Sequence, residues 1–275
     1  MQRSYKKFVG DGMKFLIVEN PRLKGAQKVG QEISKFLEEC GGHTIEHVHF
    51  GADQRQWRRR KGDVAITIGG DGTVLRTAQL VDAKILAVNA GEVGFLTEVS
   101  TEEILDRLQD VLAGNYSIDK RIRLKVEYGG ERPYDCLNEA VLNTSHISKM
   151  REFEILLNGQ SVSRVRADGI IIATPTGSTC YAMSAGGPIL DPNVDAFVVQ
   201  PLAPFKLSAR SLVVPAEGRI TLRLTRRKPC LLVLDGQYEV KVEGGEVHFS
   251  KSEKDVEFIR FKYDFYRRIE QRLSM

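Results

Sequence analysis

The sequence predicts an α/β fold in two parts: a parallel sheet covered by helices, followed by a β-rich antiparallel region. In the first part, short apolar runs alternate with stretches of helical periodicity, which is typical of strands buried on both faces. From about residue 118, apolar and polar residues alternate with a period of two, and an Asn-Gly turn separates two such runs. A length of 275 residues suits either one large domain or two domains of ordinary size.

The elements of the first part follow from its periodicity. Four apolar runs are predicted strands: KFLIVEN (14–20), HTIEHVHF (43–50), DVAITIG (63–69) and KILAVN (84–89). A helix is predicted within residues 22–40, with one apolar face formed by Val29, Ile33, Phe36 and Leu37. A second helix is predicted in STEEILDRLQDVLAG (100–114), where Ser100 and Glu103 have capping-box spacing.

The second part continues as short strands and turns. FEILLNGQSVSRV (153–165) has the strongest short-range pattern of a hairpin, an Asn-Gly turn between alternating runs. We therefore predict one domain over residues 1–117 and a β-rich domain over 118–275. The tail YDFYRRIEQRLSM (263–275) has a helical pattern and is a candidate to pack back on the first domain.

Composition and charge narrow the class of protein. Hydrophobic residues make up 42% of the chain, and 40 basic residues against 36 acidic ones leave a net charge of +4, too small to indicate nucleic-acid binding. The basic cluster WRRRK (57–61) is interpreted as a solvated surface segment. No signal peptide or membrane span is predicted, and residues before Met13 are interpreted as an extension. The four cysteines lack metal-site spacing, which favours reduced thiols and a cytoplasmic location.

A glycine-rich turn, GGDGT (69–73), follows the third predicted strand. Ligands of open parallel sheets bind at the carboxyl ends of strands, and a helix N-terminus favours an anion. Gly69, Gly70, Gly72 and Thr73 are therefore the predicted loop for a phosphate donor. Asp71 would repel phosphate unless it holds Mg²⁺ or accepts the proton of an attacking hydroxyl, and both roles indicate phosphoryl transfer. The alternative is a tight turn in which Asp71 only caps the helix.

Two polar stretches of the second part have the composition of a ligand site. A predicted strand, Gly169–Ala173, leads into TPTGST (174–179), whose hydroxyls suit a ligand rich in hydroxyls, amides and phosphate. Asn138 and Glu139 interrupt an apolar strand, and such a pair can hold ribose hydroxyls. The alternatives are a structural Ser/Thr loop and an exposed strand end.

With these pieces in this order, the chain from about residue 14 resembles the NAD kinase family. The resemblance is carried by GGDGTVLR (69–76), NAGEVGFLTE (89–98), LNEAVL (137–142) and DGIIIATPTGSTCYAMSAGGP (168–188). It implies a Rossmann-like N-terminal domain, a β-rich C-terminal domain, and phosphorylation of the 2′-hydroxyl of the adenosine ribose of NAD to make NADP. It also implies ATP or polyphosphate as donor, a divalent metal with Mg²⁺ expected, and a homodimer or homotetramer.

The resemblance also implies roles for individual residues. Asp71 is expected to be the base or orienting group, Gly72 to lie against the ligand, Arg76 to lie near the phosphates, and Asn138 and Glu139 to hold ribose hydroxyls. The remaining expected NAD-binding residues are Lys149, Arg166, Asp168, Thr176, Thr179, Cys180, Tyr181, Ala182, Met183, Ser184, Ala203 and Gln237. Two departures affect the pocket wall: Cys180 stands where the family often has Ala, and PFKLSARS (204–211) lacks the family's usual His and Pro.

Two other functions remain open from the sequence. One is another kinase with a GGDGT motif, acting on a lipid head group or a sugar. The other is a dinucleotide-binding module without catalysis, which would need the glycines but not Asp71. The sequence also leaves open the phosphoryl donor, the choice between NAD and NADH, and the number of subunits.

Overall fold

The computed structural model describes residues 12–50, 59–91, 94–130, 132–146, 149–206, 208–225 and 228–273. Residues 1–11 of the N-terminal extension and the first two residues of the WRRRK cluster lie outside the described residues. The chain forms two compact units. Unit 1 comprises residues 1–120 and 256–275, and unit 2 comprises residues 121–255.

Unit 1 is built on one predominantly parallel sheet. Its strands are β1 (Lys14–Glu19), β2 (Thr44–Val48), β3 (Arg60–Gly69), β4 (Val81–Asn89), β5 (Val99–Ser100), β6 (Ser117–Arg121) and, near the C-terminus, β19 (Val256–Arg260). The spatial order is β2-β1-β3-β4-β19-β6, with β5 paired to β4. The pairs β1–β2, β1–β3, β3–β4, β4–β5 and β4–β19 are parallel. The predicted parallel sheet is confirmed.

The described residues of unit 1 form the helices α1 (Ala26–Cys40), α2 (Asp71–Leu80), α3 (Ile104–Leu112) and α5 (Phe265–Leu273). The apolar faces of α1 and α3 pack against the sheet. Ile33 and Leu37 of α1, together with Leu108 of α3, are fully buried in one cluster with the strands. The capping box is only partly formed. The Glu103 carboxylate accepts the Ser100 amide at 3.2 Å, but the Ser100 hydroxyl donates to that carboxylate instead of accepting a backbone amide.

The C-terminal segment belongs to the first unit of the structure. The sequence analysis placed residues 118–275 in the second domain, with the tail 263–275 as a candidate to pack back on the first, and the segment that belongs to unit 1 begins at residue 256. β19 pairs in parallel with β4, with Phe258 opposite Ile85. An alternating strand pattern shows that one face is buried but does not identify the sheet that the strand joins.

Unit 2 consists of two antiparallel six-stranded sheets. One has the order β11-β10-β15-β18-β7-β8 and the other β14-β13-β12-β9-β16-β17. The first three strands in the chain are β7 (Leu124–Glu127), β8 (Tyr134–Cys136) and β9 (Glu139–Thr144), and the hairpin strands are β10 (Arg151–Leu157) and β11 (Gln160–Ala167). They are followed by β12 (Gly169–Ala173), β13 (Ala196–Leu202), β14 (Leu212–Pro215), β15 (Ile220–Leu224), β16 (Cys230–Leu234), β17 (Tyr238–Val242) and β18 (Gly245–Lys251).

The two sheets of unit 2 pack on a shared core. Phe153 and Phe249 of the first sheet and Ile172 and Phe197 of the second belong to one buried cluster. A smaller cluster on the second sheet includes Ala182 of the short helix α4 (Tyr181–Ser184). The predicted hairpin is confirmed, because Asn158 and Gly159 both adopt positive φ (50° and 83°) between β10 and β11. In the described part of the chain, no helix is long and apolar enough to span a membrane.

Candidate active site

Asp71 is the first residue of α2, and one residue, Gly70, separates it from the end of β3. Its carboxylate accepts two backbone amides from a segment that lies after β4 in the chain. The Phe95 N–H donates to Oδ2 at 2.8 Å, and the Leu96 N–H donates to Oδ1 at 3.0 Å. The two amides set the orientation of the carboxylate, and each oxygen retains a lone pair for a ligand. Asp71 is partly exposed, so a ligand can reach it.

Gly94 leaves room for this carboxylate. A Cβ on Gly94 would lie 2.0 Å from Asp71 Oδ1, far inside the closest approach of real atoms. Part of the segment NAGEVGFLTE, recognised in the sequence by resemblance, thus holds the Asp71 carboxylate. Gly94 and the amides of Phe95 and Leu96 form what we call the seat of Asp71.

The glycines of the GGDGT turn serve different purposes. A Cβ on Gly69 would lie 2.3 Å from the Thr73 hydroxyl, so the packing of the turn itself requires glycine at this position. Gly70 and Gly72 have open space at the Cβ position, and neither has a positive φ. Nothing in their described surroundings requires glycine, which fits a ligand that approaches the backbone closely.

Thr73 is already engaged within the turn. Its amide donates to the Gly70 carbonyl at 2.8 Å, and its hydroxyl accepts from Asn20 Nδ2 at 3.1 Å. The amide of Thr73 is therefore a weaker candidate for phosphate binding than the sequence analysis suggests. Arg76 lies in the same helix, where its guanidinium packs over the Phe50 ring at 5.5 Å from the ring centroid.

Asn138 and Glu139 of unit 2 are buried, with 6% and 8% of their surface exposed, so the exposed strand end considered in the sequence analysis is wrong. Asn138 Nδ2 donates to Cys180 Sγ at 3.4 Å. Among the described residues, neither Asn138 Oδ1 nor Glu139 Oε2 has a hydrogen-bond partner. Buried polar atoms of this kind are rare without a ligand or water, because their desolvation is uncompensated.

The backbone beneath this pair is held by Asp235, a residue that the sequence analysis did not single out. Its carboxylate accepts three successive amides: Leu137 at 2.9 Å, Asn138 at 2.8 Å and Glu139 at 3.2 Å. Asp235 has a φ of 50° and begins the turn between β16 and β17. The Asp-Gly pair in LDGQ predicts a hairpin turn, but no local pattern shows that the carboxylate points into the protein.

Burial, and after it the nearby Asp235 carboxylate, raise the pKa of Glu139 to about 8. Burial also raises the pKa of Asp235, although its hydrogen bonds from the Leu137, Asn138 and Glu139 amides act in the opposite direction. Glu139 is therefore mainly protonated at neutral pH before any ligand binds.

The polar loop of the second glycine-rich stretch packs directly against Asn138. The Thr174 hydroxyl donates to the Leu137 carbonyl at 2.6 Å, and the Thr174 amide donates to the Asn138 carbonyl at 2.8 Å. Thr176 and Thr179 lie in a buried 3₁₀ turn, where the Thr176 hydroxyl accepts from Arg121 at 3.2 Å. These contacts bring the predicted residues of 138–139 and 176–180 together.

The other predicted residues of unit 2 differ in exposure. In α4, Ala182 is fully buried, Tyr181 and Ser184 are exposed, and Met183 is half-buried. Ala203 is exposed and has a φ of 43°, a strained conformation for a residue with a Cβ.

Arg166 and Phe205 form a stacked pair, with the guanidinium 5.1 Å from the ring centroid. Asp168 and Gln237 are half-buried, and Gln237 lies in the same turn as Asp235. Lys149 is exposed.

Family models match both parts of the chain. The ATP-NAD kinase N-terminal domain matches residues 15–116, and the ATP-NAD kinase C-terminal domain matches residues 137–261. The NAD kinase of Methanothermobacter thermautotrophicus is 49% identical over 221 residues, 78% of each chain. The chain belongs to the NAD kinase family.

Other members of the NAD kinase family match over nearly the whole length. The NAD kinase of Methanocorpusculum labreanum is 36% identical over 274 residues, which cover 96% of this chain and 100% of the relative. The crystal structure of an NAD kinase from Archaeoglobus fulgidus in complex with ATP superimposes with a TM-score of 0.77 at 27% identity, covering 95% of this chain and 99% of that one. The family resemblance carried by the motifs and the α/β fold predicted from the periodicity are both confirmed.

Proposed function

We propose that this chain phosphorylates the 2′-hydroxyl of the adenosine ribose of NAD, making NADP, with Asp71 as the base or orienting group. The observation that carries the proposal is the seat of Asp71. Its carboxylate is held by the Phe95 and Leu96 amides at the start of α2, beside glycines whose Cβ positions are open. A ribose hydroxyl is a poor nucleophile, and a positioned base makes its attack on a phosphoryl group faster.

Unit 2 supplies groups that suit the ribose. The Asn138 amide oxygen and Glu139 Oε2 are buried acceptors without a partner among the described residues. Ribose hydroxyls would donate to these atoms and so remove their desolvation cost. The remaining predicted NAD contacts come from Arg76, from the 3₁₀ turn and α4, from Lys149, Arg166 and Asp168, and from Ala203 and Gln237, as the family resemblance implies.

ATP is the proposed donor, with its phosphates at Gly69, Gly70 and Gly72. Mg²⁺ typically binds through one or two carboxylates together with substrate phosphates, and the described residues contain no group of three metal-ligating side chains. Such a metal would bind mainly through the phosphates of the donor, and the proposal assigns it no protein ligand while Asp71 acts as the base or orienting group. The metal would neutralise charge on the transferred group. A homodimer or homotetramer in the cytoplasm remains part of the proposal.

Substitution of Asp71 tests the chemistry. Asp71→Asn retains the shape of the side chain but removes the base. A general base contributes about 10²- to 10⁴-fold, so we expect kcat for NADP formation to fall at least about a hundredfold while NAD still binds in calorimetry. The exposed Asp255 provides a matched control, Asp255→Asn, which should leave kcat and the affinity for NAD unchanged. A turnover of Asp71→Asn close to that of the unchanged protein would remove Asp71 from the mechanism.

A substrate comparison tests the acceptor class. The protein should transfer labelled phosphate from ATP to NAD, but not to diacylglycerol or fructose 6-phosphate. Labelling of the lipid or the sugar in place of NAD would support another kinase with the same motif. Binding of NADP without any ATP-dependent turnover would support a binding module.

A further inference from the structure

The residues that hold Asp71 belong to a loop, residues 94–98. The backbone amides and the backbone carbonyls of this loop have different hydrogen-bond partners. The Phe95 and Leu96 amides donate to Asp71, whereas carbonyls of the same loop accept from arginines near the C-terminus. The loop lies between β4 and β5 and has no regular secondary structure from Gly94 to Glu98. Its backbone polar groups therefore depend on partners elsewhere in the chain.

Arg268 of α5 binds three carbonyls of this loop. Its Nη1 donates to the Gly94 carbonyl at 3.0 Å and to the Phe95 carbonyl at 3.2 Å, and also to the Thr97 carbonyl. Two of these residues take part directly in the seat of Asp71. Phe95 donates its amide to the carboxylate, and Gly94 provides the space beside it.

The guanidinium of Arg268 is itself held in place. Its Nε donates at 2.7 Å to Asp264, the residue just before α5, and its Nη2 lies 3.5 Å from the Glu98 carboxylate. Only 1% of the Glu98 side chain and 11% of the Arg268 side chain are exposed. Arg260 binds the same carboxylate and the Leu96 carbonyl, both at 3.0 Å. A fork of donors fixed in this way sets the loop's position more firmly than a single flexible contact would.

We infer that Arg268 is a positioning residue for Asp71, acting through the backbone of residues 94–97. This inference rests on the proposed role of Asp71 in phosphoryl transfer. The C-terminal helix α5 thereby becomes part of the catalytic apparatus without contacting the substrate. A displacement of about 1 Å at a reacting group can cost on the order of a hundredfold in rate, so loss of the guanidinium should lower kcat more than it weakens NAD binding.

The first test compares neighbouring arginines of α5. Arg268→Gln removes the fork, and Arg267→Gln makes the same change at the next, exposed position. We expect Arg268→Gln to lower kcat at least about tenfold, with KM for NAD changed less than about threefold. Arg267→Gln should match the unchanged protein. Equal kcat values for both variants, or a rise of KM for NAD alone, would overturn the inference.

A double-mutant cycle separates positioning from general support of the fold. If Arg268 acts through Asp71, then Arg268→Gln should cost little further kcat in a protein that already carries Asp71→Asn. The same tenfold loss in both backgrounds would overturn the inference while leaving the role of Asp71 intact. A normal rate for Asp71→Asn alone would instead overturn the proposed function, so the two failures are distinguishable.

Arg268→Lys provides a second variant if Arg268→Gln folds poorly. A lysine retains the charge but offers one nitrogen in place of three, so it cannot bind the carbonyls, Asp264 and Glu98 together as Nη1, Nε and Nη2 do. It should therefore retain the thermal midpoint of the unchanged protein more closely than the glutamine variant does, yet show a reduced kcat. A kcat equal to that of the unchanged protein would overturn the inference.

Discussion

The carbonyl oxygen of Asn138 lies 2.0 Å from the position that a Cβ would occupy on Gly177. The 3₁₀ turn Thr176–Thr179 and the start of β9 thus pack backbone against backbone. The contact places the threonine-rich turn beside the Asn138–Glu139 pair. Neither segment can yield by rotating a side chain, since the nearest atoms belong to the main chain.

We predict that Gly177→Ala destabilises unit 2 and weakens NAD binding. A methyl group in this space forces the turn away from Asn138, and overpacking of this kind costs about 1–3 kcal/mol. Gly218→Ala is a matched control, because a Cβ there would meet its nearest neighbour at an ordinary 3.4 Å. Urea unfolding and calorimetric titration with NAD measure the two effects, and equal stabilities for the two variants would contradict the prediction.

We predict that Asp235→Asn lowers the free energy of unfolding by about 2 kcal/mol or more. Asparagine retains the volume and tolerates the positive φ at this position, but its amide group offers one acceptor oxygen where the carboxylate serves three amides. At least one buried N–H then faces an NH₂ group and loses its partner. Denaturant unfolding, followed by circular dichroism, measures the change.

Asp195→Asn is the control for this substitution. Asp195 forms an ion pair with Lys251, but 51% of its side chain is exposed, so its loss should cost less than about 1 kcal/mol. If the free energy of unfolding falls by the same small amount in both variants, the buried carboxylate of Asp235 does not stabilise the backbone as the geometry indicates.

The pH dependence of stability provides a prediction for Glu139. Its pKa is about 8 in the folded protein, because burial and Asp235 disfavour the charged form, whereas the unfolded chain has the ordinary value of 4.5. The folded state therefore binds more protons between these values, and the stability contributed by Glu139 is lost as pH rises toward 8. The largest slope for one such group is about 1.4 kcal/mol per pH unit.

Glu139→Gln removes this titration. We expect the variant to gain stability relative to the unchanged protein as pH rises from 5 to 8, and the difference to level off above the pKa of Glu139. Asp235, whose pKa is also raised, is present in both proteins. Urea unfolding at three pH values measures the difference, and parallel stability curves would count against a buried, protonated Glu139.

Several features of this chain could be predicted because neighbouring residues determine them. Asn158-Gly159 specifies a tight hairpin, since both residues tolerate positive φ. The periodicity of residues 100–114 predicts a helix, and Ile104, Leu108 and Val111 form the buried face of α3. The GGDGT turn was predicted at the end of a strand, and the structure places it between β3 and α2.

Sequence reasoning did not identify the residues that hold the site in place. Asp235 is almost a hundred positions from the amides that it binds, and Arg268 is more than 170 from the carbonyls that it binds. Both resemble ordinary residues of their local segments: an Asp-Gly turn and a basic, amphipathic helix. Their roles depend on which backbone groups the fold leaves without a partner, and local periodicity carries no information about that.

The α/β class, most of the elements and the family could be predicted from the residues alone, because φ/ψ preferences, apolar periodicity and compact motifs are all local. Three features required the folded structure: β19 pairs with the first sheet, Glu139 is buried beside Asp235, and the C-terminal helix holds the loop at Asp71. These features depend on burial and hydrogen bonding between segments that are distant in the chain.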